Sequence, residues 1–387
     1  DAASVDFVLL THAHIDHSGL LPLLVRRGFK GPIYATPSTE SLCEILLYDS
    51  AHLQREADAV VDGIVQEPLY RDADVRQTLR QIRPIPYEMS FDPAPDVRCR
   101  FRDGGHILGS AFIEVNVDGP AARTLAFSGD LGHSPTPILR DPARLAEADI
   151  VVLESTYGDR DHEPPSAKVA ALADAVRDVA EKRGVLLIPA FAVGRTQEVL
   201  YELGRLLERG EIPHLPVFLD SPMAQAVTDV FRRSPQSYDA DMRALLASGV
   251  DPLSFPGQQF TRSVEESKWL NTLDGPAIII AGNGMCTGGR IVYHLRRRLG
   301  HEQNTILFVG YQAEGTTGRA ILEGASTVEV LGQDVPVRAR VRSIEGFSAH
   351  AGQSELLAWI GDLRRKPQRV LVAHGEPAAS ATLADLI

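Results

Sequence analysis

Thr11-His12-Ala13-His14-Ile15-Asp16-His17 places four metal-ligand side chains within six positions, directly after the mostly apolar run from Val5 to Leu10. The pattern reads as half of a two-metal hydrolase site. A strand sends alternate side chains to one face, so His12 and His14 converge on one ion while Asp16 and His17, beyond the turn, address another. Imidazoles and a carboxylate packed this tightly need a cation to compensate them.

The rest of such a site lies downstream. Gly104-Gly105-His106-Ile107-Leu108-Gly109-Ser110 carries a histidine in a glycine-rich turn ahead of an alternating strand, and His106 is the natural third ligand of the first ion. The strand Thr124 to Phe127 ends in Ser128-Gly129-Asp130. There a glycine permits close backbone approach, and the two oxygens of Asp130 suit a bridge between cations. Near the end, residues 369–373 read as a strand that delivers His374-Gly375-Glu376, so His374 completes the second ion's set.

In this order the motifs resemble the metallo-β-lactamase fold and its β-CASP subgroup of nucleic-acid-processing nucleases, and the likeness covers nearly the whole chain. Two further marks match that group: Glu154 in Leu153-Glu154-Ser155-Thr156-Tyr157-Gly158, and His350 in Phe347-Ser348-Ala349-His350-Ala351-Gly352. With a histidine at 374, the chain resembles enzymes like the cleavage and polyadenylation specificity factor nuclease, whereas the DNA-repair branch tends to carry valine there. Within that branch it is most similar to the compact bacterial and archaeal ribonucleases. The resemblance implies an α/β fold, a metallo-β-lactamase αββα sandwich with an inserted β-CASP parallel α/β domain. It implies two Zn²⁺ ions as cofactors, RNA in single-stranded form as partner, and products with a 3′-hydroxyl and a 5′-phosphate. In the mechanism it implies, Asp16 orients the attacking water or takes its proton. His350 protonates the leaving oxygen, and Glu154 holds its tautomer. One departure is Gly352, where relatives often carry Asp. A small-molecule hydrolase of the same fold would explain the metal ligands but not Glu154 or His350.

Organisation follows from the patterning. Strands are expected near 5–10, 32–35, 98–102, 111–117, 123–127 and 149–153, with helices near 37–62 and 72–81. From about 165 the rhythm becomes a long alternation: helices near 166–183 and 195–208, and strands near 185–188, 216–219, 277–281 and 305–309. Apolar strands spaced by helices imply a parallel sheet covered on both faces. Because His350 and His374 must return to the metal centre, residues 165–345 are expected to be an insertion between 1–164 and 346–387.

Within the insertion, Gly282-Asn283-Gly284-Met285-Cys286-Thr287-Gly288-Gly289 lies between a strand and a helix. Its third glycine is out of register for a dinucleotide fingerprint, but a glycine turn at a helix start offers N–H groups to a phosphate, which makes Gly284 a substrate-binding candidate. Arg195, in the similar turn Ala192-Val193-Gly194-Arg195-Thr196, is a candidate cationic contact. In Val337-Arg338-Ala339-Arg340-Val341-Arg342, a two-residue period puts three guanidiniums on one strand face, so Arg340 is a candidate for backbone phosphates. Ser348, beside His350, is the fourth.

Composition sets outer bounds. The chain has 387 residues and a formal net charge of −12. That balance does not favour a wrapping nucleic-acid binder, yet binding depends on local potential more than on net charge. No apolar run approaches the roughly 18 residues of a spanning helix, so no membrane partner is expected. The cysteines, Cys43, Cys99 and Cys286, are scattered and odd in number, which suits a reducing cytoplasm. A homodimer stands as an open option for assembly. The chain opens at Asp1 with one apolar strand ahead of the first ligand cluster, whereas relatives carry more strands before it and continue further, so truncation at both ends is expected. His52, His133, His162, His214, His294 and His301 receive no role, and His133 and His162 are expected at the surface.

Overall fold

The computed structural model describes residues 1–56, 60–61, 64–65, 67–120 and 122–387, and the chain divides into two compact units. The first comprises Asp1–Asp161, Arg233–Asp239 and His350–Ile387, and the second His162–Arg232 and Ala240–Ala349. Among the described residues no helix is long and apolar enough to cross a membrane.

In the first unit, strands Val8–Leu9, Ile33–Ala35 and Ile82–Pro84 form a parallel three-stranded sheet. A six-stranded sheet runs in the order Arg369–Ala373, Ile150–Glu154, Arg123–Phe127, Ala111–Val117, Val97–Asp103, Ser90–Ala94. The first three of these are mutually parallel, so their carboxyl ends share one edge. Ala373 pairs with Glu154, and Phe127 with Val152. The turn 104–110 opens at that same edge, because Ala111–Val117 runs antiparallel to Arg123–Phe127 with Ile113 opposite Phe127. Sequence-distant motifs are thereby delivered to one place.

The first strand is shorter than expected. Leu10 N–H still donates to Tyr34, but the Thr11 carbonyl accepts from Ala111 N–H of the other sheet, and the chain leaves the ladder. His12 and His14 therefore sit on an extended segment rather than a strand. Asp16 and His17 lie on the short helix Ile15–Ser18, with His14 at its N-cap. The helix expected over 37–62 spans Pro37–Glu56, while Val60–Val61 pairs with Ile64–Val65 as a hairpin. Residues 57–59 and 62 of that expectation lie outside the described residues.

The second unit holds a six-stranded, wholly parallel sheet in the order Gln258–Phe260, Val217–Asp220, Ala277–Ala281, Val185–Pro189, Thr305–Phe308, Arg340–Ser343. Alternate side chains enter opposite cores. Leu186, Ile188, Ile278 and Ile280 pack on one face, and Val185, Leu187, Ala277 and Ile279 on the other. Burial on both faces is what makes these strands read as continuous apolar runs.

At the end of Val217–Asp220 the Asp220 carboxylate is fully buried. It accepts from Ser267 Oγ at 2.6 Å, Arg290 Nη1 at 2.6 Å and Thr261 Oγ1, and it lies 2.7 Å from His294 Nε2. Burial opposes its charge, but these partners, His294 foremost, hold its carboxyl well below the usual range. A folded-state pKa below the unfolded one contributes stability that is complete above about pH 4 and fades as pH falls further. Asp220→Asn is therefore expected to cost about 3–5 kcal/mol at pH 7, as for other broken buried pairs, with a smaller cost in strong acid. Urea titrations of both proteins check this; equal midpoints at pH 7 contradict it.

Candidate metal centre

His12, His14, His106 and Asp130 offer ligand atoms that all lie within 4.8 Å of one another, as do Asp16, His17 and His374, and likewise Asp130, His350 and His374. Asp130 faces both histidine sets. Its Oδ2 is 3.3 Å from His12 Nε2 and 3.5 Å from His106 Nε2. Its Oδ1 is 3.5 Å from His17 Nε2 and 3.4 Å from His374 Nδ1. Gly129 allows this placement: its φ is +54°, and a Cβ there would stand 2.8 Å from the Thr11 Cβ.

Burial governs the protonation of the first group. It lowers the pKa of His12, pushes His14 down to about 3 and, with His350 nearby, holds His106 well below the ordinary imidazole range. Neutral imidazole is the metal-binding form. Asp130 stays ionised despite its burial, chiefly through His12 and His17. His374 moves the other way, up to about 9, because it is hydrogen-bonded to Asp16. His12 Nε2 and Asp130 Oδ1 are buried without a hydrogen-bond partner. Buried polar atoms are seldom left so, and a set of imidazoles with carboxylates fits Zn²⁺.

Glu154 and His350 form a second arrangement at this edge. The buried Glu154 carboxylate lies 3.1 and 3.3 Å from His350 Nδ1, and its Oε1 also accepts from Leu131 N–H at 2.7 Å. Leu131 adjoins Asp130, so one carboxylate ties the Asp130 turn to His350. Burial works against a charged His350, but Glu154 outweighs it and raises the pKa. The segment bearing His350 is further held by a bridge to Gly132 and by Ala351 N–H donating to the Leu131 carbonyl at 2.8 Å. A Cβ on Gly352 would meet Asp161 Oδ1 at 2.8 Å. Asp161 occupies that space and accepts from Ser354 N–H and Oγ at the start of helix Gln353–Gly361.

The four substrate-binding candidates belong to the second unit, and their surroundings revise the expectations. Arg195 is 5% exposed and ion-paired with Glu198, which also accepts from Lys168 Nζ at 2.7 Å. The turn's amides are used internally, Gly194 N–H by Gln197 Oε1 and Thr196 N–H by the Phe191 carbonyl. Arg195 is thus a buried structural cation rather than an offered contact. Around Gly284 the Asn283 side chain accepts from Met285 N–H and its carbonyl from Cys286 N–H, and Phe191 fills the space a Cβ would need. Arg340 and Arg342 do share a strand face, but both turn to Asp178, at 3.1 and 3.8 Å, and Arg338 precedes the strand. Ser348 is buried, with its N–H on the Glu345 carbonyl. His133, expected at the surface, is also buried, as is His294 against Asp220.

Two threonines escaped the sequence reading. Thr11 Oγ1 is 3.1 Å from His12 Nδ1, and Thr156 Oγ1 is 3.2 Å from His374 Nδ1. Both lie inside the quoted motifs. Thr156 meets its partner 218 positions away, which no spacing rule reveals.

Comparison with known proteins gives three matching family models. A beta-lactamase superfamily domain matches residues 1–187, a Beta-Casp domain 196–321, and a Zn-dependent metallo-hydrolase RNA specificity domain 334–387. The ribonuclease TTHA0252 of Thermus thermophilus is 39% identical over 387 residues, all of this chain and 85% of that protein. The transcription termination factor FttA of Methanosarcina mazei is 32% identical over 393 residues, and that of Thermococcus kodakarensis 34% over 387. These alignments take in 99% and 97% of this chain but only 60% and 58% of the archaeal proteins.

Proposed function

The chain belongs to the β-CASP group of the metallo-β-lactamase superfamily, and from that premise we propose that it is a zinc-dependent ribonuclease, hydrolysing RNA phosphodiester bonds with two Zn²⁺ ions. The observation that carries this reading is Asp130, whose oxygens face separate histidine sets as a bridging ligand requires. His12, His14 and His106 would hold one ion, and Asp16, His17 and His374 the other. Zinc there supplies Lewis acidity, making water acidic enough to attack at neutral pH and offsetting charge on the phosphoryl group.

The chain's own groups do the rest. Asp16, at the exposed rim, orients the attacking water. His350 gives its proton to the departing oxygen, which is otherwise a poor leaving group, and Glu154 positions the ring through Nδ1 so that Nε2 faces the substrate. The RNA specificity domain and the ribonuclease relative support RNA as the substrate, which we take as single-stranded. Three free, buried cysteines accord with a reducing cytoplasm. The archaeal relatives' role in transcription termination offers a second setting for the same chemistry.

End-labelled single-stranded RNA and its DNA counterpart, incubated with zinc-supplied protein with and without chelator, test the reading. Cutting of RNA alone, abolished by chelator, is expected. Cutting of DNA alone moves the chain to the DNA-processing branch. No cutting with both ions measured in place points to a small-molecule hydrolase.

A further inference from the structure

We infer that Thr156 is a positioning residue that sets the tautomer of His374 and thereby the occupancy of the second metal position independently of the first. The inference rests on the two-ion reading above.

A hydroxyl has one proton to give. Thr156 Oγ1 donates it to the His374 backbone carbonyl at 3.0 Å, so toward His374 Nδ1, 3.2 Å away, the same oxygen only accepts. Nδ1 therefore keeps its proton, and Nε2, whose own proton Asp16 accepts in the metal-free protein, is the nitrogen that would offer a lone pair once an ion displaces that proton. That Nε2 is 3.3 Å from both Asp16 Oδ2 and His17 Nε2, the partners it would share an ion with. Asp130 Oδ1, 3.4 Å from Nδ1, places a negative charge beside the same proton and favours the same tautomer.

The contact also fixes the backbone. His374 has φ +59°, a left-handed conformation uncommon for a residue with a side chain, and its carbonyl direction is held by the Thr156 hydroxyl. Thr156 is itself placed by the end of strand Ile150–Glu154, which Ser155 Oγ stitches to the Ala373 carbonyl at 2.8 Å. The first ligand group has its own contact of this kind, Thr11 Oγ1 at 3.1 Å from His12 Nδ1. Loss of the Thr156 hydroxyl should thus be felt at one position only. Groups that orient metal-bound histidines typically change affinity by about 10–100-fold.

The test uses the full chain as wild type, Thr156→Val, which keeps the shape without the hydroxyl, and Thr156→Ser, which restores it. Each is equilibrated in zinc buffers of graded free concentration, bound zinc per chain is measured, and melting curves report folding. Two ions in wild type, one tight ion plus a second weakened about 10–100-fold in the valine variant, and recovery in the serine variant are expected. Wild-type affinity at both positions in Thr156→Val, showing that Asp130 alone suffices, overturns the inference. So does parallel weakening of both ions, or a serine variant that behaves like valine. A wild-type protein that binds a single ion instead overturns the two-ion reading, which separates the two failures.

Discussion

Replacing His350 with alanine is expected to leave both zinc ions bound and to reduce RNA cleavage by about 10²–10⁴-fold, the usual contribution of a positioned acid. Its Nδ1 is engaged by Glu154, which raises its pKa, so the ring is poised as a proton donor. The diagnostic lies in the leaving group. A phosphodiester with a p-nitrophenolate leaving group needs no proton, so His350→Ala should hydrolyse it at close to the wild-type rate while failing on RNA. An equal loss on both substrates would mean that His350 binds substrate or metal instead. Unaltered RNA cleavage would remove it from the chemistry.

Asp130→Ala should be more severe. Its two oxygens face His12 and His106 on one side and His17 and His374 on the other, so under the proposed two-ion arrangement its removal would strip a ligand from both positions at once. Zinc measured after gel filtration is expected to fall from two ions toward none, and cleavage to the background seen with chelator. A ligand that binds only the folded state raises stability by mass action, about 2.7 kcal/mol at a hundredfold excess over its dissociation constant. Added zinc should accordingly raise the melting temperature of the wild type and leave that of the variant unmoved. Retention of one tight ion by Asp130→Ala would show that Asp130 serves a single position.

The metal-binding candidates were legible because each stands at or just beyond an apolar strand with turn residues beside it, a local signature of side chain and backbone. Glu154 and His350 needed the resemblance, since one carboxylate after a strand and one histidine before a helix are unremarkable alone. The secondary candidates fared differently. Arg195, Gly284 and Arg340 were chosen from turn chemistry and spacing, and those patterns do not say whether a turn's own side chains consume its amides. In this chain Gln197, Asn283, Glu198 and Asp178 do so, or take the charge.

By itself the sequence determined the apolar strands of the second unit, whose side chains alternate between two cores, and the identity of the candidate ligands, because periodicity and residue type are local properties of the chain. Only the tertiary structure decided that the ends of Arg123–Phe127, Ile150–Glu154 and Arg369–Ala373 share one edge, that Asp130 looks both ways, and that Thr156 meets His374. Those facts depend on parallel pairing between segments far apart in the chain, and the hydrogen bonds that set it leave no mark on the spacing of either partner.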